Sequence, residues 1–297
     1  MDDVRIVAGD LEAAFVPAAG MVGVSLRHRG DELLDRRRGL EAYVERNKTM
    51  GIPLLHPWAN RLGGWDYQAE GRAVELPRDS PLVQPDEHGL PIHGLLAAAK
   101  RWRLVAHEPS RLRAEHDFAA QPELLALFPF PHLLELDAEL SSGALTVTTT
   151  VRATGEVPVP ISFGFHPYLR LPGVPRERWE LSLPARRALD TDERGIPRGA
   201  GEELPAETLA LEDRGFDAGF DRIAEGAGFA VAAGGREIGV RFTRGYAYAQ
   251  VFSPPGAEFV CFEPMTAPAN AMRSGEGLRV TGDSFSATFA IAVTATA

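Results

Sequence analysis

The feature that most constrains the fold is a two-residue alternation of apolar and polar side chains over long stretches of the chain. From 134 to 140 every second residue is apolar and acidic residues fill the positions between them. After the sequence Ser141-Ser142-Gly143 the alternation resumes over 145–151, and it returns over 285–293. Because successive side chains of a strand point to opposite faces, this pattern predicts strands with one buried face, the first two forming a hairpin.

Shorter stretches of the same kind predict further strands, and helical periodicity is almost absent. Only residues 123–127 favour a helical turn, which the sequence Phe128-Pro129-Phe130-Pro131 ends because proline cannot continue a helix. Residues 190–215 are rich in Gly, Glu and Arg and predict a long surface loop. The shorter strands are expected near 4–16, 102–106, 239–242 and 258–262.

Thirty glycines and 23 prolines divide the chain into many short elements. Many short strands separated by Gly/Pro turns are typical of a β-sandwich or a β-barrel. The sequence shows no internal repeat and no linker, and all-β folds often reach about 250 residues as one unit. We therefore predict an all-β protein in which residues 1–297 form one large domain.

Composition disfavours several classes of partner and chemistry. Lys and Arg total 31 against 41 for Asp and Glu, a net charge of −10, so we expect no nucleic-acid partner. Cys261 is the single cysteine, which rules out an intrachain disulfide and a multi-cysteine zinc site. Neither a signal peptide nor an apolar run near the ~20 residues of a membrane span is present, so we expect a cytoplasmic protein without a membrane partner. The phosphate-loop, dinucleotide and serine-nucleophile motifs are missing too.

Four short segments differ from ordinary strands and turns. Each places a polar or ionisable residue beside Gly or Pro at the end of an apolar stretch, where a rigid turn holds a side chain in one direction. Taken singly, most of these residues also suit a turn or a buried structural position. Glu263 is the most suggestive, because an unpaired carboxylate at the end of an apolar strand is costly to bury. The segments are HPWANRLGG at 56–64, PIHGL at 91–95, FGFHPY at 163–168 and FEPMTAP at 262–268.

Taken together, these segments resemble the aldose 1-epimerase, or mutarotase, family. A fifth segment at 215–220 resembles another family motif, and all five occur in the family's order from residue 56 to residue 268. The resemblance implies a large twisted antiparallel β-sandwich. It also implies an enzyme that interconverts the α and β anomers of a free hexose without a cofactor or a metal. The implied partner is a small sugar, and the chain is expected to be a monomer or a homodimer.

The resemblance further implies a role for each candidate residue. Glu263 is implied as the general base and His166 as the general acid, on opposite sides of the hemiacetal. A carboxylate with a reference pKa of ~4.3 accepts a proton at neutral pH, and a histidine near ~6.5 donates one. The residues implied to hold sugar hydroxyls and the ring oxygen are Asn60, Arg61, His93 and Asp217, with Asp221 as a competing alignment for Asp217.

The substrate stays open at this stage. His93-Gly94-Leu95 stands where galactose-type mutarotases have a second glycine, and this form resembles a divergent bacterial branch that includes hexose-6-phosphate 1-epimerases. A phosphate would need extra cations at the cleft, and solvated strand-edge charges are the favoured explanation for the candidates. The net acidity mildly favours a neutral sugar, although local charge decides. The candidate cations are Arg101, Arg103 and Arg170.

Other functions compete with catalysis on the same residues. A non-catalytic sugar-binding protein would keep the hydroxyl-holding residues, and the presence of both His166 and Glu263 argues for an enzyme. A glycosidase needs two carboxylates at the scissile bond. A metal site from Asp86, Glu87, His88 and His93 is less favoured than an acidic solvated loop. Trp58, Trp65 and Tyr168 are candidates to stack on a sugar, with core packing as the alternative.

Overall fold

Antiparallel strands build two large sheets in a computed structural model that describes residues 1–95 and 102–295. With strands numbered in chain order, the larger sheet has nine. Their spatial order is β10 (Arg103–Glu108), β11 (Arg111–Asp117), β12 (His132–Leu140), β13 (Ala144–Ala153), β27 (Ser284–Ala295), β23 (Arg236–Arg244), β22 (Gly228–Ala233), β17 (Glu180–Leu183) and β20 (Glu207–Ala210).

The second large sheet has eight strands and carries most of the candidate residues. Its strand β25 (Val260–Met265) has three neighbours, since two short strands pair with different parts of the same edge. The order is β19 (Pro197–Leu204), β18 (Arg186–Thr191), β21 (Phe216–Asp221), β24 (Tyr248–Ser253), β25, β15 (Gly164–Phe165) and β5 (Leu54–Leu55), with β16 (Tyr168–Leu169) beside β15 on β25.

Smaller sheets and short helices complete the described structure. One sheet has the order β1 (Val4–Ala8), β2 (Leu11–Val16), β3 (Val22–His28) and β4 (Asp31–Glu32). The two-stranded sheets pair β6 (Asp66–Ala69) with β7 (Arg72–Glu75), β8 (Val83–Pro85) with β9 (Pro91–Leu95), and β14 (Val159–Ile161) with β26 (Arg279–Thr281). The helices are α1 (Gly39–Arg46), α2 (Pro122–Leu125) and α3 (Ala271–Ser274), and 3-10 turns span Pro17–Ala19 and Arg176–Arg178. Within residues 1–95 and 102–295, no helix has the length and apolar character needed to cross a membrane.

The alternating stretches form the centre of the nine-stranded sheet, as the sequence predicts. β12 and β13 make the expected hairpin, with Leu140 paired to Leu145 across the turn, and β27 pairs with β13. The alternating apolar residues of the three strands are buried, apart from the half-buried Phe285 at the start of β27, while most of the residues between them are more exposed. Period-two patterning therefore directs one face of this sheet toward the core.

The core lies between the two large sheets, which together form the predicted antiparallel β-sandwich. The ring of Phe289 in β27 lies 4.8 Å from that of Phe165 in β15, and Phe229 in β22 stacks at 5.7 Å on Phe262 in β25. Because side chains alternate along a strand, the residues flanking Phe262 point away from this core. Glu263 is one of them, so the inward packing of Phe262 places the carboxylate on the opposite face.

Two expectations about local structure are wrong. Residues 190–215 are not one long loop, because they contain the end of β18, all of β19 and all of β20. β19 is an edge strand that is mostly exposed, so it lacks the alternation of buried residues that marks a strand in a sequence. Helix α1 was not predicted either, since only Ala42 and Tyr43 of its eight residues are buried.

Replacing Phe289 with alanine is expected to destabilise the fold strongly. The side chain is fully buried between the two sheets, and truncating a core phenylalanine costs about 3–5 kcal/mol. The free energy of unfolding would be measured by urea denaturation, with Val280→Ala as the control because Val280 is 46% exposed. A loss below about 1 kcal/mol for Phe289→Ala would contradict this account of the core.

Candidate active site

Three adjacent strands place polar side chains in one row on the outer face of the eight-stranded sheet. Gly219 of β21 pairs with Gln250 of β24, and Gln250 pairs with Glu263 of β25. Paired residues share a face, and so does every second residue along a strand, which places Asp217 on the same side. Two candidate carboxylates that are distant in the chain are therefore brought together by strand register.

His166 reaches this row because β15 and β16 are interrupted. Gly164 of β15 pairs with Met265, and Tyr168 of β16 pairs with Cys261. His166 lies between those two pairs, and Glu263 lies between their partners on β25. The His-Pro interruption between the short strands thus brings the imidazole beside the carboxylate.

Main-chain hydrogen bonds join the four unusual segments to one another, either directly or through residues that flank them. The amide of His93 donates to the carbonyl of Asn60 at 2.9 Å, which fixes the second segment on the first. The other contacts run from the amide of Ala59 to Ser162, from Thr266 to Phe163 and from Asn270 to Arg61, at 2.6, 3.0 and 2.7 Å. These segments therefore form one framework around the polar row.

A cavity of about 260 Å³ opens onto this framework. Its volume is near the small end of ligand pockets, about 300–1,000 Å³, which fits a ligand of monosaccharide size. All six candidate residues line it. The lining consists of Arg37, Asn60, Arg61, Glu87, Ile92, His93, His166, Tyr168, Asp217, Gln250, Phe252 and Glu263.

Glu263 and His166 touch each other at the base of the cavity. Oε1 of Glu263 lies 3.3 Å from Nε2 of His166, and the two residues are only 2% and 5% exposed. They stand side by side and not on opposite sides of a ligand, so that part of the expectation is wrong. The neighbouring arrangement suits a hemiacetal, because its hydroxyl and its ring oxygen are bonded to the same carbon.

Burial drives both groups toward their neutral forms. Loss of hydration raises the pKa of Glu263 well above its usual value, and the negative charge of Asp217 acts in the same direction against an opposing effect of Arg61. Loss of hydration lowers the pKa of His166, and His93 and Arg37 lower it further. Perturbed acids and bases in a cavity are typical of catalytic sites.

The pair also has unused hydrogen-bonding capacity. Oε2 of Glu263 and Nδ1 of His166 are buried without a hydrogen-bond partner among the residues that the structure describes. The other ring nitrogen of His166 lies 3.4 Å from the hydroxyl of Tyr168, whose ring stacks on the imidazole at 4.4 Å. An unpaired buried carboxylate oxygen is costly, which indicates a site that a polar ligand completes.

Arg61 is held rigidly at another part of the cavity wall. Its Nε donates to Asp86 at 2.6 Å, its Nη2 donates to Glu87 at 3.0 Å, and Asp217 lies 3.9 Å away. Burial opposes the positive charge, but the hydrogen bond to Asp86 and the charges of Asp217 and Glu87 raise the pKa of Arg61 overall. The guanidinium therefore stays charged. Asp86 and Glu87, considered as metal ligands from the sequence, are its partners.

Asn60 and His93 both adopt left-handed backbone conformations, with φ of 53° and 63°. Side chains other than glycine rarely occupy this region, and such strain is concentrated at functional sites. The ring of His93 meets that of His166 edge-on at 5.5 Å. Burial, assisted by Arg61, lowers the pKa of His93 to about 3, so this imidazole is neutral at physiological pH.

Of the two competing aspartates, the structure brings Asp217 into the cavity. Its Oδ1 accepts a hydrogen bond of 2.6 Å from the side-chain amide of Gln250. Asp221 does not line the cavity and is bound through both oxygens to Arg187, at 2.9 and 2.6 Å. Asp217 is therefore the one placed to contact a ligand.

Several cavity residues were not found from the sequence. Gln250 and Phe252 lie in an ordinary strand without Gly or Pro beside them, and only strand register places them next to Glu263. Arg37 lies in a polar stretch that carries no motif. Every second residue of β24 faces the cavity, but this could be recognised only after the pairing of β24 with β25 was known.

The three aromatic candidates for stacking on a sugar differ in their position relative to the cavity. Tyr168 lines the cavity, whereas Trp58 is 1% exposed and packs against Tyr67 in the core. Trp65 lies outside the cavity lining and donates its indole N–H to the carbonyl of Gly89 at 2.8 Å. Tyr168 alone of the three is positioned to contact a sugar.

Two of the three arginines considered for a phosphate, Arg103 and Arg170, are not in the cavity lining. Arg103 forms an ion pair with Glu115 across the β10–β11 hairpin, and Arg170 does not contribute to the lining. Arg101 lies outside the residues that the structure describes. The described cavity has its cations at Arg37 and Arg61 instead.

Comparisons with known proteins concern the family and the fold of this chain. The profile of the aldose 1-epimerase family matches residues 4–291. The uncharacterized protein YihR of Escherichia coli K12 is 27% identical over 208 residues, 65% of this chain and 58% of YihR, so less than two thirds of that relative is matched. A galactose mutarotase-like protein of Clostridium acetobutylicum superposes with a TM-score of 0.81 at 18% identity over 98% of this chain and 95% of that one. The GalM/aldose epimerase homologue of C. elegans gives 0.79 at 13% identity over 100% and 99%.

Replacing Gly94 with alanine is expected to disturb the framework beside His93. A Cβ at this position would lie 2.2 Å from the carbonyl oxygen of His56, and the backbone has φ of +78°. Gly89→Ala is the matched control, because Gly89 has φ of +73° but open space around it. Urea denaturation should show Gly94→Ala to be the less stable by about 2 kcal/mol. Equal losses would mean that the close approach at Gly94 has no energetic consequence.

His93 is expected to make the protein less stable in mild acid. Because its folded pKa of about 3 lies below the unfolded value near ~6.5, the unfolded state binds the extra proton in between, and stability falls as pH decreases through that window. His93→Gln should therefore lose less stability than the wild type between pH 7 and pH 5, by up to about 2 kcal/mol. Urea denaturation at both pH values measures this, with exposed His107→Gln as the control. Equal losses in wild type and His93→Gln would contradict the assignment.

Proposed function

The chain belongs to the aldose 1-epimerase family, and we propose that it interconverts the α and β anomers of a hexose whose anomeric hydroxyl is free. Family and fold support a mutarotase-like carbohydrate epimerase. The free hexose is the simplest substrate of this class. The proposed reaction uses Glu263 and His166 as its acid–base pair.

The observation that carries this proposal is the contact between the two groups inside the cavity. A carboxylate and an imidazole 3.3 Å apart can reach two oxygen atoms bonded to one carbon. Both side chains are nearly buried, yet each keeps an atom without a partner in the part of the chain that the structure describes. A purely structural ion pair has no need of a cavity or of unused polar atoms.

In the proposed ring opening, Glu263 as carboxylate takes the proton of the C1 hydroxyl. The electron pair of that O–H bond forms the C1=O bond, the bond between C1 and the ring oxygen breaks, and the ring oxygen takes a proton from His166. Rotation about the C1–C2 bond then presents the other face of the aldehyde. Reversal of both transfers closes the ring with the opposite configuration at C1, and positioned acid–base groups of this kind contribute about 10²–10⁴-fold in rate.

The directions of the pKa shifts suit both transfers. A raised pKa makes the Glu263 carboxylate a stronger base, and a lowered pKa makes the His166 imidazolium a stronger acid. Burial favours the arrangement in which Glu263 holds the single proton of the pair, so the proposed ring opening starts from the less populated arrangement, with that proton on His166, and ends with it on Glu263. No proton has to enter or leave the cavity during turnover, which is compatible with the burial of the pair.

The other cavity residues can hold the sugar in place. Arg61 offers guanidinium donors, and Asp217 offers a carboxylate acceptor 3.9 Å away, a combination suited to neighbouring hydroxyl groups. His93 is neutral and has a buried Nδ1 without a partner among residues 1–95 and 102–295. The amide of Asn60 can act as donor or acceptor. Fixed donors and acceptors of this kind orient the C1 hydroxyl toward Glu263.

Replacing Glu263 with glutamine should remove the acceleration of mutarotation. The amide cannot accept the C1 proton, so the catalysed rate is expected to fall by about 10²–10⁴-fold. The measurement is the approach to anomeric equilibrium, by polarimetry or NMR, starting from α-glucose and α-galactose. Glu258→Gln is the matched control, because Glu258 is an exposed residue just before the same strand.

Two outcomes would overturn the proposal. Full activity in Glu263→Gln would show that another group removes the proton. A wild-type protein that binds glucose, galactose or glucose 6-phosphate without accelerating equilibration of any of them would be a sugar-binding protein and not an enzyme.

A further inference from the structure

A second cation, Arg37, lies at the cavity on the side of His166. Its guanidinium carbon is 4.4 Å from the centre of the Phe259 ring and 5.8 Å from that of Tyr168. Tyr168 in turn stacks on His166 at 4.4 Å. Arg37 therefore forms the outer end of a row that leads through one aromatic ring to the proposed acid.

Unlike Arg61, Arg37 has no carboxylate partner. Among the described residues no Asp or Glu oxygen lies within 4 Å of its guanidinium, and its side chain makes no hydrogen bond. An aromatic face attracts a cation but leaves its N–H groups free, so the donors of Arg37 remain available. The Arg61 guanidinium is already bound by Asp86 and Glu87. Arg37 is the uncommitted positive charge of this cavity.

The main chain holds Arg37 in position. The amide of Asp35 donates to the carbonyl of Tyr168 at 2.9 Å, and the amide of Arg37 donates to the Asp35 carboxylate at 2.7 Å. Arg37 itself has a left-handed backbone with φ of 47°. The segment is thus tied to β16, and the guanidinium is presented to the cavity by a defined turn.

Charges are distributed unequally along the cavity. Arg37 acts electrostatically on His166, whereas Asp217 and Arg61 act on Glu263. The end beside Glu263 contains one cation, Arg61, among three carboxylates, and the end beside His166 contains the guanidinium of Arg37, which has no described carboxylate oxygen within 4 Å. A ligand that spans the cavity therefore meets hydroxyl-binding groups at one end and an anion-binding group at the other.

The chemistry of a pyranose says which part of the sugar reaches Arg37. The ring oxygen is bonded to C1 and to C5, and C5 carries the exocyclic C6 group. With the ring oxygen at His166 and the C1 hydroxyl at Glu263, the C6 group lies on the His166 side. That side ends at Tyr168 and Arg37.

Resting on the proposed function, we infer that Arg37 binds an anionic group carried on C6 of the substrate. The chemical class is a hexose with a C6 carboxylate or a C6 phosphate. Guanidinium donors match the oxygens of either group, and hydrogen bonds between charged partners are the stronger ones. The net charge of −10 does not oppose this, because binding depends on the local charge at the cavity.

The test compares three sugars and three proteins. The sugars are α-glucose, glucuronate and glucose 6-phosphate, and the proteins are the wild type, Arg37→Gln and Arg36→Gln. Arg36 is the matched control, because it is the exposed neighbouring arginine and does not line the cavity. Anomeric exchange is followed by NMR, the uncatalysed rate of each sugar is subtracted, and kcat/KM for each acidic sugar is divided by that for glucose.

The wild type is expected to favour at least one acidic sugar over glucose. A preference for glucuronate would identify the C6 group as a carboxylate, and a preference for glucose 6-phosphate would identify it as a phosphate. Arg37→Gln should lower that ratio by about 10- to 100-fold, the usual effect of losing hydrogen bonds to a charged group. Arg36→Gln should leave it unchanged. Acceleration of glucose with a ratio near one, unaffected by Arg37→Gln, would overturn the role of Arg37 and leave the proposed function intact. Failure to accelerate any of the three sugars would overturn both.

Discussion

The stacking of Phe262 on Phe229 between the two large sheets is the contact on which the site depends. It fixes which side chains of β25 point into the core and which point out of it. A shift of the strand by one residue would bury Glu263 among phenylalanine rings and turn Phe262 toward the cavity face. The hydrophobic core therefore determines the direction of a carboxylate that does not belong to it.

Burying the polar groups around that carboxylate costs free energy of folding. Hydrogen bonds and ion pairs compensate this cost for some of the groups and not for others. The charge of Arg61 is balanced by Asp86 and Glu87, which also fix its orientation, while other N–H groups of the guanidinium remain for a ligand. Glu263 is matched by His166, which also lies near the Tyr168 hydroxyl, and each of the two retains an atom without a partner among the described residues. A fold stabilised elsewhere by an extensive core can tolerate such a pair, and strained or unpaired groups of this kind are concentrated where proteins bind and react.

Close backbone contact gives the site its shape. Gly94 allows the strand that carries His93 to approach the carbonyl of His56, where any side chain would collide. The same approach brings Asn60 and His93 within one main-chain hydrogen bond of each other. The cavity is thus framed by segments bound to one another through their main chains, with Arg37 and Arg61 contributing positive charges of different kinds. Arg61 is neutralised by neighbouring carboxylates, and Arg37 has no described carboxylate oxygen within 4 Å.

The sequence by itself determined the sandwich and most of the candidate residues. Alternation over 134–151 and 285–293 encodes strands directly, because a strand has the same period, and the resemblance of five short motifs supplied the six candidate residues that line the cavity. It failed for β19 and α1, since an exposed edge strand and a helix with two buried residues leave no periodic pattern. Only the tertiary structure decided between Asp217 and Asp221, brought Gln250 beside Glu263, set His166 next to Glu263, and placed Arg37 at the cavity. Each of these depends on strand pairing or on contacts between segments far apart in the chain, and such contacts have no signature in the local order of residues.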